Sequence, residues 1–261
     1  MKRNNHFEEI RYEKWAHWLV ILSLLALWEI LVAVGVVSAL FFPAPSTILV
    51  QTYKLLANGE LLVHIYATVG RISISMLFGG FAGLFLGAAM GWSKRLRVLA
   101  DPLIAALHPI PKISILPLVM IIFGIGESSK VIVVAISVFF PMLINTMVGV
   151  HQISPLYYEV AKNYGATPRK LFSRVILPGS LPMVMSGVRL AVNTALVVTI
   201  AVELVAAQEG LGAMIWLAWE ILRTVDLYVS LLVITVLGIL TNALIQYCTR
   251  LLAPWAALQE Q

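Results

Sequence analysis

Residues 131–150 read Val-Ile-Val-Val-Ala-Ile-Ser-Val-Phe-Phe-Pro-Met-Leu-Ile-Asn-Thr-Met-Val-Gly-Val, a run without a single Asp, Glu, Lys or Arg. A helix rises about 1.5 Å per residue, so this run is about 30 Å long, the thickness of the hydrocarbon core of a bilayer. The stretch predicts a transmembrane helix. It decides the fold because the chain repeats the pattern on both sides. Trp18–Ala39, Ile72–Trp92, Met183–Leu204 and Leu227–Tyr247 are equally long and apolar. Over its 261 residues the chain is 60% hydrophobic and only 12% charged. A soluble domain has about a quarter of its residues charged, so lipid must solvate much of this chain.

Just upstream of the central run, Leu103–Phe123 is apolar but holds His108, Lys112 and three prolines, Pro109, Pro111 and Pro117. Proline removes a backbone donor and kinks a helix. Irregular backbone at membrane depth survives only beside protein or a water-filled cavity. The segment reads as a sixth, broken span facing the bundle interior. The expected fold is therefore an all-α membrane protein with six transmembrane helices, at about 18–39, 72–92, 103–123, 131–150, 183–204 and 227–247.

Basic residues set the expected orientation. With both termini in the cytoplasm, twelve Lys and Arg fall inside (Lys2, Arg3, Arg11, Lys14, Lys94, Arg95, Arg97, Lys162, Arg169, Lys170, Arg174 and Arg250). Four fall outside: Lys54, Arg71, Lys130 and Arg223. Lys112 and Arg189 lie within spans. This placement accounts for the net charge of +5 without a nucleic-acid partner. The domain organisation expected is a cytoplasmic N-terminal segment 1–17, a transmembrane domain 18–252 and a cytoplasmic tail 253–261. No small-residue cleavage site follows the first apolar run, so no cleavable signal peptide is expected.

The loops differ in character. Phe42–Gly70 is expected outside, opening with Pro43-Ala44-Pro45-Ser46 and continuing into a surface helix. Gln208–Asp226, also outside, carries Trp216 and Trp219, which suit a membrane interface. His151–Pro182 is the longest internal loop, polar and basic, and long loops in compact proteins are often functional.

Several residue patterns bear on chemistry. Gly79, Gly83, Gly87 and Gly91 recur every fourth residue, which lines one helix face for close helix packing. Charges inside a membrane are candidate functional groups, chiefly Lys112 and Arg189, with Glu203, Glu29 and His108. His108, Lys112, Asn193 and Glu203 are the candidates for a translocation pathway, while Glu29 and Glu203 could each pair with a neighbouring helix and Arg189 could snorkel. Enzyme signatures are missing. Gly124-Ile125-Gly126-Glu127-Ser128-Ser129-Lys130 fails the phosphate-loop spacing, since Ser129 stands where its second glycine must be. The lone Cys248 excludes an intrachain disulfide or a zinc cluster. No catalytic residue, metal site or bound cofactor is expected on this chain.

Within the internal loop, Glu159-Val160-Ala161-Lys162-Asn163-Tyr164-Gly165 is followed, after nine residues, by Val175-Ile176-Leu177-Pro178. This resembles the EAA loop of binding-protein-dependent ABC importer permeases, whose pattern is EAA, three residues, G, nine residues, I-x-L-P. Val160 and Val175 depart conservatively. His108–Lys112 with Leu116-Pro117-Leu118, Phe123–Glu127 and Gly210-Leu211-Gly212 resemble the nitrate, sulfonate and taurine branch, and the similarity spans about 20–252. The resemblance implies a type I importer permease fold. It makes Glu159, Val160, Ala161, Gly165, Ala166, Leu177 and Pro178 the residues that couple to ATP-binding subunits, with Ser154 or Pro155 starting a short helix that Gly165 ends. It also implies the partners: two ATP-binding subunits carrying ATP and Mg, a second permease copy, and a periplasmic or lipid-anchored substrate-binding protein, all at a bacterial inner membrane. The substrate implied is a small solute, most readily an anion such as nitrate, a sulfonate, taurine or bicarbonate. An ion-gradient-driven carrier is the alternative, but it calls for internal repeats and paired broken helices, and only one broken segment is visible.

Overall fold

The computed structural model describes residues 5–255, with side chains described from Trp18 onward. Met1–Asn4 and residues 256–261, at the two ends of the expected N-terminal segment and tail, lie outside the described residues, as do Lys2 and Arg3. Ten helices follow one another, with no strand among the described residues. They are α1 (Asn5–Ala33), α2 (Pro45–Ala57), α3 (Glu60–Trp92), α4 (Lys94–Leu107), α5 (Leu116–Phe123), α6 (Glu127–His151), α7 (Pro155–Asn163), α8 (Pro168–Ala206), α9 (Leu211–Glu220) and α10 (Thr224–Leu252). Single π turns interrupt α3 at Met76–Gly80 and α8 at Phe172–Ile176.

By length and composition α3, α6, α8 and α10 can each cross a membrane. A 3-10 turn at Lys112–Ile115 leads into α5, and the segment Lys112–Phe123 meets α4 at 85° across the break at His108–Pro111, the two together making a fifth, broken span. The count of six is not reached by this measure. The expected first span ends at Ala33, where the chain turns at Gly35 (φ +78°), instead of continuing to Ala39. Two other expectations change. Helix α3 starts at Glu60, well before Ile72, so most of the expected external loop is helical. The loop 151–182 shrinks to short links either side of α7, because Thr167 caps α8 and Pro168 opens its first turn.

The chain forms two compact units. One comprises residues up to Leu62 with Met214–Leu232. In it the Glu29 carboxylate accepts hydrogen bonds from the Ser46 amide (3.0 Å) and hydroxyl (2.6 Å). Ala44, at the N-cap of α2, has no side-chain oxygen, so Glu29 supplies the acceptor that the helix start lacks. Trp28 and Tyr228 stack with ring centroids 5.8 Å apart, and Gln51 donates to Asp226.

The other unit, Val63–Ala213 with the chain from Val233, is built around α6. Half of α6 is buried, against 28% of α3 and of α8, so α6 is the central helix. Its contact with α3 is a backbone seam. A Cβ on Gly79, Gly83 or Gly87 would overlap the carbonyl of Ala135, Phe139 or Leu143 respectively, and one on Gly91 would meet Val150. Both sets advance four residues at a time, so the two helices run side by side along adjacent faces. On its other side α6 meets α8 through Gly149 and Gly187, and Val134, Val138 and Met142 close a core with Ala191 and Ala195.

Candidate functional site

The α6 N-terminal end of this unit holds a network of charges. His64, Thr68 and Arg71 lie at i, i+4 and i+7, one face of α3. Arg71 is 4% exposed and Glu203, near the end of α8, is fully buried. The Arg71 Nη1 donates to Glu203 Oε1 at 2.6 Å and to the Glu209 carbonyl at 2.7 Å. Its Nε and Nη2 make a two-pronged pair with Glu127, at 2.7 and 2.8 Å. Lys130 Nζ adds a third bond to Glu127, at 2.7 Å. Two cations face two carboxylates, so the cluster is neutral, which is the condition for burying charge at all.

The same side chains hold residues 209–212. Gly210 N donates to His64 Nδ1 (3.1 Å), Leu211 N to Thr68 Oγ1 (2.9 Å) and Gly212 N to Glu203 Oε2 (2.9 Å). Thr68 Oγ1 in turn donates to Glu203 (2.9 Å). A Cβ on Gly210 would collide with the Glu203 carboxylate, and one on Gly212 would collide with the Ile200 carbonyl. Gly210 also has φ +124°. The Gly-Leu-Gly sequence is thus required by close approach to a buried carboxylate. Sequence reasoning placed Arg71 and Lys130 in external loops and missed the network. The i, i+4, i+7 spacing of His64, Thr68 and Arg71 was the available signal.

The remaining pathway candidates are dispersed. Lys112 Nζ donates to the carbonyls of Leu107 (3.0 Å), His108 (2.7 Å) and Ile110 (2.7 Å) and lies 4.5 Å from the centre of the Phe140 ring. Pro111 has no N–H to offer Leu107 four residues back, and the ammonium fills that place. His108 is exposed, with its ring edge-on to Phe140 at 5.5 Å. Asn193 accepts from Asn242 at 3.1 Å and stands ten residues before Glu203, about 15 Å along α8. The structure does not bring these four residues into one site.

At the opposite end α7 forms a knob. The Ser154 hydroxyl accepts from Leu156 N at the N-cap, and Pro155 occupies the first turn. The helix closes with two bonds, Gly165 N to Lys162 O and Ala166 N to Ala161 O, both 2.9 Å, around Gly165 at φ +69°. This is the Schellman arrangement, which needs a left-handed residue at that position. Ala161 and Tyr158 pack on a core of Val150, Leu171 and Ile176, which ties the knob to α6 and α8. Burial pushes the Tyr158 phenol up from its ordinary pKa. Leu156, Tyr157, Val160 and Tyr164 stay exposed, Tyr164 at 88%. Glu159, Gly165 and Leu177 are exposed as well, and Ala166 and Pro178 half-buried.

Comparison with known proteins gives these features a setting. The sequence model of the family described as "Binding-protein-dependent transport system inner membrane component" matches residues 79–257. The taurine transport system permease protein TauC of Escherichia coli (strain K12) is 31% identical over 237 residues, covering 89% of this chain and 86% of that one. SsuC of Bacillus subtilis (strain 168), whose name attaches it to aliphatic sulfonates transport, is 32% identical, covering 89% and 84%. The formylaminopyrimidine transport permease protein ThiX of Halalkalibacterium halodurans is 31% identical, covering 92% and 96%. Among solved structures, a chain of the MetNI methionine ABC transporter in an inward-facing conformation superposes with a TM-score of 0.66 at 19% identity, covering 74% of this chain and 96% of that chain.

Proposed function

The chain belongs to the binding-protein-dependent transport system inner membrane components, in the sulfonate and taurine branch of ABC importer permeases, and from that premise we propose that it forms the translocation pathway for a small organic anion and takes its driving force through α7. The observation that carries this is the exposed apolar surface of the knob: Leu156, Tyr157, Val160 and Tyr164 on a helix outside the spans. Large apolar side chains gathered on an exposed, polar-rimmed helix mark a protein-binding surface.

In this reading the partner is an ATP-binding subunit that holds the ATP and Mg, with Glu159, Val160, Ala161, Gly165, Ala166, Leu177 and Pro178 at or beneath the contact. The assembly contains two such subunits, a second copy of this chain and an external substrate-binding protein. Both termini and α7 lie in the cytoplasm. Nucleotide-driven closure of the ATP-binding subunits draws the two knobs together. Since α7 is packed on Val150, Leu171 and Ile176, that movement is delivered to α6 and α8 as a rigid-body rotation. The closed ring of bonds at Gly165 keeps the lever stiff.

Val160→Asp tests the reading. It should leave the subunit in the membrane at its normal level while at least a tenfold smaller share of the ATP-binding subunit co-purifies, and ATP-dependent uptake should fall with it. Full co-purification would overturn the assignment of α7. Orientation has its own check. A Lys170→Cys substitution in a Cys248→Ser background should react with an impermeant thiol reagent only from the cytoplasmic side.

A further inference from the structure

The expected spans contain four charged residues: Glu29, Lys112, Arg189 and Glu203. Three have found partners. Glu29 takes two bonds from Ser46, Lys112 gives three to carbonyls, and Glu203 is paired with Arg71. Arg189 alone among them makes no hydrogen bond or ion pair, and its side chain is exposed. It opens onto a groove of about 540 Å³ between α8 and α10. Thr235, Asn242 and Gln246 also line it. On α10 these three recur at i, i+7 and i+11 with Gly238 between, so one face of an apolar helix carries a polar stripe. Asn193, one turn on from Arg189, is held by Asn242 at 3.1 Å and so joins the same surface. No Asp or Glu lines the groove.

We propose that this groove is a wall of the solute pathway and that Arg189 is its anion-recognising residue, taking a sulfonate or carboxylate group while Gln246 supplies a neutral hydrogen bond beside it and Asn242, donating to Asn193 and to the Gly238 carbonyl, braces the wall. The proposal deepens the reading of the chain as the pathway-forming subunit and rests on it. Polar and ionisable side chains within spans face a bundle interior or water, because lipid leaves them unsatisfied. Five such side chains on adjoining faces of two spans do not fit a lipid-facing surface. A guanidinium is also suited to the task, being permanently charged, planar and weakly hydrated, with paired N–H groups that match two oxygens of a sulfonate or carboxylate. With no acid to neutralise it, its field is available to a passing anion. The groove has about the volume of a small-ligand site.

The test does not depend on knowing the solute. Ala243 lines the same groove and is exposed. In the assembled complex, Ala243→Cys in a Cys248→Ser background is treated with a methanethiosulfonate reagent bearing a sulfonate, and separately with its trimethylammonium analogue. The expected result is reaction with both, faster with the sulfonate by about fivefold or more. Adding Arg189→Gln should abolish or reverse that preference, and Arg189→Lys should keep most of it. No labelling by either reagent would mean the groove faces lipid, with Arg189 reaching an interface, and would overturn the proposal. So would a preference indifferent to Arg189→Gln. These outcomes are independent of the α7 test, which reads subunit binding. Loss of partner binding in Val160→Asp alongside charge-blind labelling would sink the groove and spare the coupling surface.

Discussion

The two ends of the α6-centred unit solve opposite problems. At the α6 N-terminal end, Arg71, Glu127, Glu203 and Lys130 satisfy one another and pin the backbone of residues 209–212, with Glu203 fully buried. At the other end, α7 satisfies its own backbone through Ser154 and Gly165 but leaves Tyr157, Val160 and Tyr164 facing outward. The first end satisfies its charges within one chain, whereas the second leaves large apolar side chains exposed. Substitutions at the first end should therefore act on folding, and those at the second on assembly and transport.

The largest effect is expected at Arg71. Arg71→Met strands the buried Glu203 carboxylate, while the exposed Glu127 keeps its bond from Lys130, and breaking a buried pair in this way costs about 3–5 kcal/mol. The measurement is membrane abundance together with the thermal unfolding midpoint in detergent, and both should collapse. Arg71→Met combined with Glu203→Leu should recover much of the loss, because two apolar side chains no longer leave a charge unpaired. Recovery will be incomplete, since Gly212 N and the Glu209 carbonyl lose partners. A double variant as unstable as the single one would mean that the pairing is not what holds this end together. By contrast, Tyr164→Ser on α7 should leave the midpoint within the range of ordinary surface substitutions, about 0.5 kcal/mol.

A second contrast lies within α3 itself. Gly83 and Gly87 touch the backbone of α6, whereas a Cβ on Gly70 meets nothing within 4 Å. Gly83→Ala should destabilise by about 1–3 kcal/mol, as overpacking does. Gly70→Ala should be neutral or should stabilise by up to about 1 kcal/mol, because alanine suits a helix better than glycine. Equal midpoints for the two variants would deny the backbone seam.

The sequence disclosed these regions unequally. The limits of α7 were legible because Ser154, Pro155 and Gly165 are local signals whose meaning does not depend on distant residues. The long apolar helices were legible through hydropathy, but not where they start. Glu60–Arg71 is polar enough to pass for a loop, and it is helical within a span because Thr68 and Arg71 are satisfied by Glu203 and residues 209–212, far along the chain. Pairing over such a separation leaves no local trace. Lys112 shows the converse. Its charge at membrane depth marks it as a pathway candidate, and the missing N–H of Pro111 accounts for where its ammonium sits.

A modest effect on stability, with the largest on transport, is expected at Gly165. A Cβ there meets nothing within 4 Å, so the position is not closed by packing within this chain. What holds glycine is the backbone, since φ is +69° and the bonds from Gly165 N and Ala166 N depend on it. A left-handed conformation costs an ordinary residue about 1–2 kcal/mol, and less for Asp or Asn, whose short side chains bond locally. Asp adds a negative charge at the negative end of the α7 dipole, about 0.3–1 kcal/mol. Together these amount to about 1–2 kcal/mol, which a multi-span protein survives. Gly165→Asp should therefore reach the membrane at a normal level with a barely lowered midpoint, yet lose ATP-dependent uptake and much of its bound ATP-binding subunit. Gly165→Asn separates the causes, because it keeps the tolerance for this φ and carries no charge. If Asn transports normally and Asp does not, the partner surface rejects charge. If both fail alike, it rejects any side chain at all, and the α7 knob seats in a groove with no room beyond glycine. Wild-type uptake by both variants would show that Gly165 serves only to end the helix.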